Sequence, residues 1–107
     1  MSEYTPDRWV MLEITGVDSK PIRKIFAGWY GGYTGGDSWR LNSGVTNATI
    51  DDDEGYYKFE GQSNSVYYCH VNTHGMSSYM FSVLTKWREQ MPHVDFKEID
   101  LEDIVVS

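Results

Sequence analysis

One cysteine, three prolines and nine basic side chains in 107 residues set the first limits on this chain. The lone Cys69 closes no intramolecular disulfide, which fits a reducing compartment. Nine Lys and Arg against sixteen Asp and Glu leave a net charge of −7. A protein that grips nucleic acid through its phosphates needs a cationic face, so no direct nucleic-acid partner is expected. Nor does any window approach the roughly 18 consecutive apolar residues of a membrane span. Met1-Ser2-Glu3-Tyr4-Thr5-Pro6-Asp7 has neither the basic region nor the apolar run of a secretion signal. The expected location is cytoplasmic, with no membrane partner.

What is there is apolar and aromatic. Forty per cent of the residues are apolar and 15% aromatic, which excludes a disordered chain and allows one real core. Residues 1–107 are expected to form a single domain. Arg8 to Thr15 alternates Val10, Leu12 and Ile14 with Trp9, Met11 and Glu13, and reads as a strand. Gly16-Val17-Asp18-Ser19 turns the chain into a second strand, Pro21 to Tyr30. Short extended segments follow at 38–42, 45–50, 56–60 and 65–71. Ser77 or Ser78 can cap a helix in which Met80, Val83, Leu84, Trp87 and Met91 recur at three- and four-residue spacing. Pro92 ends it, and 94–99 is extended again. These elements predict an α+β domain, an antiparallel sheet of five to six short strands with one amphipathic C-terminal helix packed on one face.

The least ordinary stretch is Gly28 to Gly44, GWYGGYTGGDSWRLNSG, which holds six of the ten glycines. Glycine amides can approach an anion or a flat ligand closely. Trp29, Tyr30, Tyr33 and Trp39 could stack on a ring. Arg40 could pair with a phosphate, and Asp37, Ser38, Asn42 and Ser43 could supply hydrogen bonds. The spacing matches neither a phosphate loop nor a dinucleotide fingerprint. A competing reading has the aromatics packed under the sheet while Asp37 and Asn42 hold turns.

Other constellations carry less chemistry. Cys69, His70 and His74 are zinc-ligand types, but neighbours on a strand point to opposite faces, so Cys69 reads as a small core residue. Ser38 has no credible base and acid, and no catalytic residue, metal or cofactor is expected. Asp51-Asp52-Asp53-Glu54-Gly55 lacks calcium-loop spacing and reads as a solvated turn. Asp95, Glu98, Asp100, Glu102 and Asp103 form a second acidic zone, interleaved with Phe96, Ile99, Leu101, Ile104 and Val105.

Two patterns resemble those of a known group of proteins. Gly36-Asp37-Ser38-Trp39-Arg40, continued by Asn42-Ser43-Gly44, resembles a motif of an uncharacterised group of small phage- and prophage-encoded proteins. Gly61, Ser63, Ser65, Tyr67 and Cys69, with Gly75 after them, resemble that group's second pattern. The resemblance covers about the middle half of the chain. It implies a phage origin, hence the cytoplasm of a host cell, and no catalytic activity. Two functions fit. The first is a binding module that sequesters a small polar, nucleotide-like ligand to counter host defence, with a homodimer deepening its pocket. The second is an acidic protein–protein inhibitor of a host nucleic-acid-handling enzyme.

Overall fold

Strand β2 (Arg8–Thr15) is buried on both faces: Trp9, Val10, Met11 and Leu12 are all shielded from solvent. Successive strand side chains point to opposite sides, so this run requires a covering layer on each face. The computed structural model, which describes residues 2–31 and 36–106, supplies both layers.

In chain order β1 (Ser2–Tyr4) precedes β2. After it come β3 (Ile22–Trp29), β4 (Ser38–Leu41), β5 (Val45–Asp51), β6 (Tyr56–Gly61) and β7 (Ser65–His70). Helix α1 (Ser78–Gln90) and strand β8 (Asp95–Ile99) complete the set. One sheet has the order β4-β3-β2-β8 and the other β1-β7-β6-β5. All neighbours are antiparallel except β1 and β7, which run parallel from Ser2↔Ser65 to Tyr4↔Tyr67.

Trp9, Met11, Ile25 and Ala27 of the first sheet pack on Phe59, Tyr67 and Cys69 of the second. Val10, Leu12 and Phe26, on the opposite face, meet Met80 and Leu84 of α1 together with Phe96. Burying Met80 and Leu84 completely stabilises the helix–sheet contact by about 1.5–3 kcal/mol each. The Ser77 hydroxyl accepts from the Met80 amide at 3.2 Å, so Ser77 is the cap. The helix stops at Gln90, two residues before Pro92, and Arg88 near its end donates to the Phe96 carbonyl at 2.6 Å.

The α+β class and the helix stand, but the single sheet of five to six strands does not. Among the described residues, eight strands form two four-stranded sheets, and the helix lies between β7 and β8. The physical reason lies in β2 and β3, whose two apolar faces need a sheet on one side and a helix on the other. The acidic tail docks through buried Ile104, with Arg23 Nη1 donating to the Asp103 carbonyl at 3.2 Å. None of the described helices is long and apolar enough to cross a membrane.

Candidate functional site

The β3–β4 hairpin carries the residues of interest, and its base is tied down by carboxylates. Asp7 accepts from the Tyr30 amide at 2.9 Å, and Asp37 accepts from the Gly31 amide at 2.9 Å. Gly31 has φ +43°, a left-handed geometry that glycine adopts without penalty. Trp29 fixes the approach of β1 by donating its indole N–H to the Thr5 carbonyl at 3.1 Å.

Strand alternation then splits β4 into two faces. Trp29 pairs with Ser38 and Ala27 with Arg40, so Ser38 and Arg40 lie on the sheet–sheet side. The Arg40 guanidinium carbon sits 4.6 Å from the centre of the Tyr4 ring. Tyr4 in turn packs on Tyr67 at 4.9 Å and meets Trp29 edge-on at 6.1 Å. One exposed cation therefore rests on the Tyr4 ring of β1, which itself packs against rings of β3 and β7 where the two sheets meet. Burial raises the Tyr67 hydroxyl pKa above its ordinary value, and the neighbouring Arg40 charge works against that rise.

Trp39 goes the other way. It meets Phe26 at 6.0 Å and Trp87 of α1 at 5.0 Å, while 40% of it stays exposed. Trp39 and Arg40 thus cannot share one small ligand. Asn42 is only 4% exposed and bonds to the Ile25 backbone, which removes it from any ligand-facing set. Ser43 donates its hydroxyl to that of Ser63 at 3.0 Å and accepts from the Ser63 amide at 3.0 Å. Asp37 and Ser43 hold loops together. Tyr30 is 55% exposed, and Tyr33 lies outside the described residues.

Of the sequence candidates, Trp29, Ser38 and Arg40 are brought onto one face, with Tyr30 following Trp29. Tyr4 and Tyr67, which complete that face, were not among them. Tyr67 falls within the second sequence pattern, whereas only long-range pairing of β1 with β7 brings Tyr4 there. Elsewhere, Cys69 is buried between the sheets and His70 faces outward against Tyr56 at 5.5 Å. His74 lies edge-on to Trp9 at 4.8 Å. In the acidic turn, Asp51 accepts from the Glu54 amide at 3.0 Å and so organises the β5–β6 turn.

Compared with protein-family models, with curated proteins and with solved structures, the chain has no match.

Proposed function

We propose that this chain is a non-enzymatic binding module that captures a small polar ligand, nucleotide-like in combining a flat ring with an anionic group. The observation that carries the reading is the exposed Arg40 guanidinium resting on Tyr4 with no carboxylate paired to it among the described residues. An aromatic face holds a guanidinium in place while leaving N–H donors for an oxoanion. Trp29, edge-on to Tyr4 at 6.1 Å, adds ring surface beside it. A base stacked on an aromatic side chain gains about 1–3 kcal/mol, and a hydrogen bond to a charged group about 1.5–3 kcal/mol. In a chain of net charge −7, long-range attraction contributes little, so selectivity rests on this local pair of contacts. A phage origin would place such a module in the host cytoplasm, where sequestering a nucleotide-like signal counters defence.

The test is native mass spectrometry and calorimetry of the purified protein with a panel of mono- and dinucleotides. One ligand should bind saturably, Arg40→Ala should weaken it about tenfold or more, and Arg40→Lys should rescue only partly because the planar fork is lost. The same mass shows whether two copies share the ligand. Capture unaffected by Arg40→Ala would sink the reading.

A second reading, an acidic inhibitor of a host nucleic-acid-handling enzyme, draws on two exposed acidic groups. Asp52, Asp53 and Glu54 project from the β5–β6 turn, and Asp100, Glu102 and Asp103 bring carboxylate oxygens within 4.8 Å of one another. A salt-sensitive host-protein complex lost on neutralising either group would favour it over ligand capture.

A further inference from the structure

The opposite face of the same sheet carries a second, unrelated feature. Ile14 of β2 is in register with Ile22 of β3 and Phe96 of β8, while Leu41 of β4 pairs with Phe26 farther along β3, and all of these point toward the helix layer. Helix α1 ends at Gln90 and leaves this end of the sheet uncovered. Met91 and Val94, in the segment after the helix, wall what remains as a groove of about 380 Å³. That volume lies near the lower end of the ~300–1,000 Å³ range of small-ligand clefts. Ile22 and Met91 stand 45% and 40% exposed at its mouth.

The charges lining this groove run against the rest of the molecule. Lys20 and Lys24 line it, and none of the chain's sixteen acids is among its described lining residues. Arg88 is anchored beside it, on the Phe96 carbonyl. An apolar floor with two lysines and no carboxylate is complementary to an apolar body that ends in one negative charge.

We infer that this groove binds a small free amphiphile with a hydrocarbon chain and a terminal carboxylate, the chain lying over Ile14, Leu41 and Phe96 and the carboxylate between Lys20 and Lys24. The floor is short and is bounded by the Gly16–Lys20 turn and by Met91–Val94. It therefore suits a single medium-length chain and not a folded partner. This inference does not rest on the Arg40 reading, because Arg40 occupies the other face of the sheet.

The probe is decanoate below its micellar concentration, titrated into the full chain and followed by calorimetry and by methyl and backbone NMR. Saturable one-to-one binding is expected, with shifts concentrated at Ile14, Ile22, Leu41, Met91 and Val94. Lys20→Gln with Lys24→Gln should weaken decanoate about tenfold while leaving decanol and the unfolding midpoint unchanged. Met91→Glu, at the exposed mouth, should weaken it as well by adding a like charge. Hexanoate should bind at least about tenfold more weakly than decanoate because four methylenes leave the groove. Arg40→Ala should change none of these values.

Several outcomes would overturn the inference. Among them are no saturable decanoate binding, equal affinity for decyltrimethylammonium, and shifts that map to the sheet–sheet rim. So are binding seen only with phosphatidylglycerol vesicles, and a concentration-dependent dimer that shields Lys20 and Lys24. The last would make a second copy of the chain the occupant.

Discussion

The Ile25 amide donates to Asn42 Oδ1 at 2.8 Å, and the Asn42 amide returns a bond to the Ile25 carbonyl at 3.0 Å. Through this reciprocal pair Asn42 continues the β3–β4 ladder one residue past Leu41, just before the chain leaves one sheet for the other. Asn42→Ala would strand a buried backbone N–H, and the expected loss is about 1–3 kcal/mol of folding stability. Urea denaturation reads that directly. An unchanged midpoint, or a loss of ligand capture without a loss of stability, would return Asn42 to the binding set.

A second relationship explains one glycine of the aromatic-rich stretch. A Cβ on Gly28 would collide with Met80 Sδ and would lie 2.7 Å from Met80 Cγ. Met80 is fully buried in the helix–sheet core. Gly28→Ala should therefore cost about 1–3 kcal/mol through overpacking. In the Met80→Ala background most of that cost should vanish, because the obstacle is gone. A double-mutant cycle by thermal or urea unfolding measures the coupling. Strict additivity would mean that the clash is not the reason glycine stands there.

Much of the local structure was legible in the sequence, and for local reasons. Alternation in Arg8–Thr15, a serine cap at 77 or 78 and the Pro92 stop are set by neighbouring residues. So is the outward turn of His70 next to inward Cys69. What was not legible depends on partners distant along the chain. The three residues of β1 carry no strand signal strong enough to stand alone and pair with β7 more than sixty residues later. The division into two sheets could have been suspected from β2, because four consecutive buried residues are more than a sheet with one covered face can use. The candidate site was half visible: Arg40 and Trp29 stood out by type, but Tyr4 and Tyr67 reach Arg40 only through the packing of the two sheets. Trp39 and Arg40 are adjacent in sequence, and strand alternation alone separates them.

Cys69 gives a prediction that separates core from reactive chemistry. It is fully buried, and burial raises its thiol well above the ordinary value. The thiolate is the reactive form, so native protein should resist a thiol reagent such as dithiobis(nitrobenzoate). One equivalent should react once denaturant unfolds the chain, at a midpoint matching the spectroscopic transition. Rapid reaction of the native protein would place Cys69 in an accessible site.

His74 supplies the pH dependence. Its Nε2 is buried without a hydrogen-bond partner among the described residues, and the ring stands edge-on to Trp9. Burial lowers its pKa below the ordinary value, and Arg8 pushes the same way. Asp100, Glu98 and the Ile99 carbonyl oppose that shift. With the folded pKa below the unfolded one of about 6.5, the unfolded chain binds more protons in the interval between them. Stability therefore rises with pH across that interval. The contribution of neutral His74 is complete above about pH 6.5 and is lost as the pH falls to the lowered folded value. Urea midpoints taken from pH 8 to 5 should fall on acidification, and the imidazole of His74 should titrate below the ordinary histidine value in NMR. Glu98→Gln with Asp100→Asn removes the opposing charges and should push the His74 titration lower still, deepening the acid loss. His74→Asn removes the titrating group and should flatten this part of the profile. If the His74→Asn profile kept the full slope, the proton uptake would belong to another group.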